Sequence, residues 1–170
     1  RLRYDPLHQE LMRIAREQVH GKVTYLESSF AFAPGSTENW RYDKKLSGGG
    51  PIWDVGVYSF QAFRYITGQE PIAVRAQIRE VMPEKFTGID DDTMTYQFEF
   101  PDGLSAIGGT SYAARINRLF FSTTEARFEV EPAFSYEKLQ AYHNGQPMEV
   151  DVGSKKQQAK QMDAFAQNIL

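Results

Sequence analysis

Asp54 and Tyr58 stand four residues apart, and their side chains are well suited to moving a proton. On a helix that spacing makes them neighbours on one face, with Gln61 and Tyr65 continuing it. A carboxylate beside a phenol can orient the hydroxyl or accept from it, while the phenol exchanges a proton with a ligand. Tyrosine alone is poorly suited, because its unperturbed pKa lies near ~10. A nearby ammonium favours the phenolate, so the chemistry calls for a lysine, and Lys44 and Lys45 are the candidates in the adjoining loop. A plainer reading stays open: Asp54 favours a helix N-terminus through its charge, and Tyr58 and Tyr65 cover a partly exposed face.

Trp40-Arg41 offers a flat apolar wall beside a cation able to bind a hydroxylated or anionic ligand; alternatively it is an aromatic anchor with a solvated charge. Gly48-Gly49-Gly50 is either a flexible turn before a helix or backbone that must approach a ligand closely. It is no phosphate loop, since no Gly-Lys-Ser/Thr follows, and no GxGxxG dinucleotide fingerprint occurs anywhere. Asp90-Asp91-Asp92 reads as a solvated strand entry rather than a metal site. His8, His20 and His143 are scattered and make no ligand spacing, and no G-x-S-x-G elbow supports a hydrolase. No metal is expected.

The elements that must position these groups follow from periodicity. Asp5 and Pro6 read as the cap and first residue of a helix carrying Leu7, Leu11, Ile14 and Ala15, which Gly21 stops. Val23 to Phe32 reads as a strand ended by Pro34-Gly35-Ser36. Pro51 starts the helix of Asp54 and Tyr58, with Trp53, Val57, Phe60 and Phe63 as its apolar stripe and Gly68 closing it. The period then becomes two: Met94, Tyr96, Phe98 and Phe100 point one way, and Thr93, Thr95, Gln97 and Glu99 the other. Pro101-Asp102-Gly103 turns into a return strand from Leu104 to Tyr112, and Asn144-Gly145 marks a hairpin among strands around Leu119, Phe128, Leu139 and Met148. Ser154 caps a last helix carrying Ala159, Met162, Phe165, Ala166 and Ile169. Strands clustered between helices, without βαβ alternation, predict an α+β fold: an open-faced, mostly antiparallel sheet with helices on one face.

The 170 residues, 41% of them hydrophobic, close one sizeable core and are too few for two full domains, so residues 1–170 are taken as one domain. A formal charge of −3 without a block of like charges gives nucleic acid and anionic membranes nothing to hold, and leaves a small neutral or weakly polar partner. The absence of cysteine excludes a disulfide scaffold, a thiolate nucleophile and cysteine-ligated metal. No apolar run approaches the ~20 residues that span a bilayer, and no signal-peptide pattern opens the chain. A cytoplasmic protein is expected, with an exported form left open because the first residue is Arg1 and not Met.

Asn39-Trp40-Arg41, the triple glycine, Asp54-Val55-Gly56-Val57-Tyr58, Arg64-Tyr65 and Gly68-Gln69-Glu70-Pro71 together resemble the glucose–fructose oxidoreductase branch of the Gfo/Idh/MocA family. Arg3-Tyr4-Asp5-Pro6 resembles the junction after that family's nucleotide-binding domain, Pro132-Ala133-Phe134 with Tyr136 a late strand region, and Gln161-Met162-Asp163-Ala164-Phe165 a late helix. The resemblance implies a C-terminal substrate-binding and oligomerisation domain whose N-terminal Rossmann domain is not in this chain. It implies Asp54 and Tyr58 as catalytic residues, and Trp40 and Arg41 beside both substrate and nicotinamide. It also implies NAD or NADP bound mainly by the missing domain, a sugar-like substrate, hydride transfer, and a homo-oligomer formed through the sheet. The family's catalytic lysine, in a Glu-Lys-Pro motif, is absent from this chain, so the fragment alone is expected to be inactive. A non-catalytic sugar-binding, regulatory or assembly module of the same architecture is the alternative.

Overall fold

The computed structural model describes residues 1–151 and 156–169. Helix α1 spans Pro6–Arg16, and the Asp5 carboxylate caps it by accepting the Leu7 N–H at 3.0 Å. Pro6 sits at the first helical position, where no N–H is missed. Leu7, Leu11, Ile14 and Ala15 are buried as the spacing predicts, together with His8. The helix stops at Arg16, before Gly21.

Strand β1 (Val23–Ala31) follows, then a short helix α2 (Lys44–Ser47), a π-helical turn Ile52–Gly56 and helix α3 (Val57–Thr67). Gly68, at φ 69, closes α3 in the left-handed conformation that a Cβ disfavours. Strands β2 (Ala73–Arg79), β3 (Thr93–Glu99), β4 (Ser105–Ser111), β5 (Ile116–Thr123), β6 (Arg127–Val130), β7 (Ala141–His143) and β8 (Gln146–Pro147) precede a last helix α4 (Gln157–Gln167).

The eight strands form one sheet in the order β2-β3-β4-β1-β5-β6-β7-β8. Every neighbouring pair is antiparallel except β1 with β4. The register aligns Leu26 with Ala106 and Phe121, Ala106 with Phe98, and Phe121 with Phe128, so these residues share the face that α1 and α3 cover. The opposite face carries Glu27, Gln97, Ile107 and Phe120 and is open. This is the expected α+β sheet with helices on one side. The alternation in β3 holds, with Tyr96, Phe98 and Phe100 buried. Asn144 and Gly145 both take positive φ in the β7–β8 turn, which suits the twist of a two-residue hairpin.

Several expectations need correcting. The stripe on α3 is Ser59, Ala62, Phe63 and Ile66; Phe60 is only partly buried, while Trp53 and Val57 face solvent, Trp53 at 65% exposure. The π turn lengthens the hydrogen-bond ring just before α3, so residues upstream of it lose the α-helical phase on which the stripe was based. Strand β2, unforeseen, is an edge strand exposed along most of its length and lacks an alternating pattern. Leu139 lies ahead of β7, Met148 lies past β8, and Pro132–Phe134 is irregular backbone after β6 rather than strand. The capping role given to Ser154 lies outside the described residues; α4 begins after Lys156, and Met162 and Phe165 on it, with Ile169 past its end, are exposed.

Candidate active site

The loop after β1 is organised by side-chain caps. The Asn39 Oδ1 accepts the Arg41 N–H at 3.1 Å and starts a short turn, Trp40–Tyr42. Tyr42 turns inward onto a second apolar cluster with Phe86, Ile89 and Tyr112, which leaves Trp40 and Arg41 facing outward. Asp43 caps α2 by accepting the Lys45 N–H at 2.9 Å. Gly50 then passes so close to Asp91 that a Cβ would stand 2.2 Å from its carbonyl oxygen. Neither reading of the triple glycine describes what is seen: the close approach at Gly50 is to the chain's own Asp91 and not to a ligand.

These segments bring Trp40, Arg41 and Asp54 around one cavity of about 110 Å³, with Gly49, Trp53 and Tyr112 completing its wall. The Arg41 Nε lies 3.2 Å from the Asp54 Oδ2, and the Tyr112 hydroxyl donates to the same oxygen at 3.2 Å. The Arg41 guanidinium also lies over the Trp40 ring, 4.5 Å from its centre, a cation–π arrangement that holds both side chains side by side. Burial, and then the Asp54 charge, push the Tyr112 phenol well above the usual tyrosine range, so it is a hydrogen-bond donor at every ordinary pH.

Tyr58 does not join that cavity. It lines a neighbouring cleft of about 450 Å³ with Arg1, Arg3, Tyr4, Gln61 and Tyr65. Its ring packs on Phe30 and Phe134 at 5.6 and 6.1 Å, and its hydroxyl has no protein partner among the described residues. Asp54 and Tyr58 therefore line two different clefts, because their spacing crosses the junction of π turn and α-helix and does not stack them as in a regular helix.

Among the described residues the cation over the Tyr58 ring is Arg1, not a lysine. Its guanidinium carbon lies 5.4 Å from the Tyr58 ring centre and 4.2 Å from that of Tyr136; Nη1 and Nη2 donate to Ser135 O, the Gln157 side chain and Phe134 O, while the buried Nε has no partner among the described residues. Lys44 instead pairs with Asp90 at 2.7 Å, and Lys45 is exposed. Nothing in the sequence flagged Arg1, whose partners lie more than 130 residues away. Tyr112 was legible only as the end of a strand.

The remaining candidates are structural. Asp92 is buried and accepts the Val81 and Met82 N–H groups at 2.9 and 2.6 Å. The Asp91 carboxyl is pushed up by burial against the glycine loop. His20 and His143, scattered in sequence, meet at 4.6 Å between ring centres, yet no cluster of three or more potential ligands occurs among the described residues. His8, fully buried, bonds Ala133 O through Nε2 at 2.8 Å and the Tyr65 hydroxyl through Nδ1 at 2.7 Å.

Residues 8–131 match the GFO/IDH/MocA C-terminal domain. The chain belongs to that family. The D-xylose 1-dehydrogenase [NADP(+)] of Haloarcula marismortui is 31% identical over 156 residues, covering 89% of this chain and 42% of that protein. The aldose-aldose oxidoreductase of Caulobacter crescentus, solved with glycerol, superposes at a TM-score of 0.90 with 29% identity, over 99% of this chain and 51% of that one. A levoglucosan dehydrogenase solved with NADH and levoglucosan shares the fold at a TM-score of 0.73 and 17% identity, over 96% of this chain and 53% of that one. The chain thus spans about half the length of these relatives. As a GFO/IDH/MocA C-terminal domain it is part of a family that includes sugar dehydrogenases and oxidoreductases. Among its described residues no helix is long and apolar enough to cross a membrane.

Proposed function

We propose that this domain is the C-terminal, substrate-side half of an NAD(P)-dependent oxidoreductase of the glucose–fructose oxidoreductase branch, whose nucleotide-binding Rossmann domain lies outside residues 1–170. The observation that carries the reading is the convergence of Asp54, Arg41 and Trp40 on one cavity beside the cleft of Tyr58. Its substrate is an aldose-like sugar, as the names of the xylose and aldose enzymes suggest.

The residues present fit one end of a dinucleotide. The indoles of Trp40 and Trp53, 54% and 65% exposed, offer flat walls that a nicotinamide ring could stack against, and Arg41 stands beside them. No glycine fingerprint for the pyrophosphate is present, which leaves that part to the other domain. Bound there, the nicotinamide would accept or supply the hydride. This chain's own groups do the rest. Tyr58, with its hydroxyl unpaired, exchanges the proton of the sugar hydroxyl. Asp54 accepts from the sugar through its remaining oxygen, while Arg41 and Trp40 hold the ring in place. The open sheet face, where Ile107, Ile116 and Phe120 lie among Arg75, Arg118 and Glu27, associates with a second copy in the same proposal, and the enzyme works in the cytoplasm.

The test is turnover by the full-length protein. With xylose or glucose and either coenzyme, nicotinamide absorbance should change, and Tyr58→Phe should abolish most of the rate. If the intact protein binds the sugar without reducing or oxidising either coenzyme, a non-catalytic sugar-binding or regulatory module is the better reading.

A further inference from the structure

We infer that Tyr112 is a positioning residue for Asp54: its hydroxyl, with the Arg41 Nε, fixes one carboxylate oxygen so that the other is presented to the ligand. The inference rests on the proposed role of Asp54 and extends it to a residue that neither the helix pattern nor the resemblance singled out.

Three observations carry it. Both contacts, at 3.2 Å each, fall on Oδ2, and Oδ1 has no protein partner among the described residues on a side chain that lines the cavity. One donor on a carboxylate oxygen leaves the group free to turn about that contact; a second donor on the same oxygen restricts the turning. Second, Tyr112 cannot follow Asp54 if Asp54 moves. Its ring has no exposure and is locked by Phe32, Tyr42 and Phe86 at 5.3, 5.0 and 5.8 Å between ring centres, and its backbone N–H donates to Asp92 O at 2.9 Å. Third, Asp54 sits on a π turn, a break in the regular helical hydrogen-bond pattern, and the Tyr112 hydroxyl ties that break to the sheet. The sheet, through the end of β4, thereby sets the aim of a side chain borne by the helical layer.

A double-mutant cycle in the full-length protein separates this from mere packing. Tyr112→Phe removes one oxygen and keeps the ring; Tyr42→Phe does the same in the same aromatic cluster, where the hydroxyl meets no protein acceptor among the described residues. The kcat with xylose or glucose should fall about 10- to 100-fold in Tyr112→Phe, the scale of a small misplacement of a reacting group, with the coenzyme KM unchanged. It should stay within about twofold in Tyr42→Phe. Added to Asp54→Asn, Tyr112→Phe should cost less than about twofold more, because its only route to the chemistry is already lost. Losses that multiply in the double variant, or wild-type turnover in Tyr112→Phe, overturn the inference and leave the oxidoreductase reading standing. Absence of turnover in the wild-type protein with every aldose overturns that reading instead. Melting temperatures of the wild type, Tyr112→Phe, Asp54→Asn and the double variant then decide Tyr112: coupled shifts support the anchor, and additive shifts remove it.

Discussion

Lowering the pH from 7 to 5 should destabilise this domain through a single imidazole. His8 has no exposure and is held neutral: its Nε2–H donates to Ala133 O at 2.8 Å, so Nδ1 is the acceptor of the Tyr65 hydroxyl at 2.7 Å. Burial lowers its pKa below the ordinary imidazole range; the Ala133 bond and the Asp5 charge work the other way without reversing the shift. With the folded pKa depressed, the unfolded chain binds the proton first. Stability is therefore fully present above the unfolded value and is lost as the pH falls below it towards the folded value. One proton gives a limiting slope of about 1.4 kcal/mol per pH unit, so roughly 1.4 kcal/mol should be gone one unit below the unfolded value. For a domain of this size that corresponds to a fall of about 3–6 °C in melting temperature. Glu10, Glu70, Asp90 and Asp102 are all shifted downward, so their losses come at lower pH, while the Asp91 carboxyl, shifted upward by burial, opposes the His8 loss equally in the two proteins compared. Thermal or urea unfolding between pH 7 and 5, for the wild type and His8→Gln, reads the effect. The variant should be less stable at pH 7 and flatter in its pH dependence. An equal slope in both proteins, or none in the wild type, would refute the assignment to His8.

Further expectations can be checked on the same protein. In the intact enzyme Tyr58→Phe should lower turnover by ~10² to 10⁴ with little change in coenzyme affinity or melting temperature, whereas wild-type rates would leave Tyr58 only a packing role. Gly50→Ala should cost about 1–3 kcal/mol by denaturant titration, because the added carbon meets the backbone of Asp91 and not a side chain that could swing away. Gly35→Ala, with nothing within 4 Å, serves as the near-neutral comparison. Residues 1–170 alone should show no low-micromolar binding of NADH or NADPH by calorimetry, since the phosphate-binding glycines are absent.

Much of the scaffold was legible because it depends on local chemistry. Asp5-Pro6 starts α1, Tyr96 and Phe98 alternate with Gln97, and Asn144-Gly145 turns a hairpin; each signal is complete within a few residues. The site was legible in part. Trp40, Arg41 and Asp54 do share a cavity, but the spacing of Asp54 and Tyr58 suggested one face where there are two clefts. A π turn slips one hydrogen bond and leaves no mark in composition, so the helical wheel failed upstream of Val57, at Trp53 and Asp54. Arg1 and Tyr112 escaped for a different reason: their partners are distant in sequence, and neither a lone arginine nor a strand-end tyrosine has a periodicity to betray it. Strand β2 carries Arg75, Gln77 and Arg79 on an edge, where burial imposes no alternation on its sequence.

The single parallel pairing in the sheet has a kinetic consequence. β1 lies between β4 and β5, so the middle of the sheet cannot close until residues 105–123 return to a strand that ended at residue 31. Contacts of such long sequence separation are slow to form, and the loop they close contains Trp40, Arg41, Asp54 and Tyr58, with Tyr112 just past its far end. The meander of β2, β3 and β4 can pair without β1, but a chain arrested there lacks the frame against which the helical layer packs. Assembly of the cavity and closure of the central sheet are thus one late event, and a chain that refolds only its hairpins should regain strand content well before Asp54 regains its anchors.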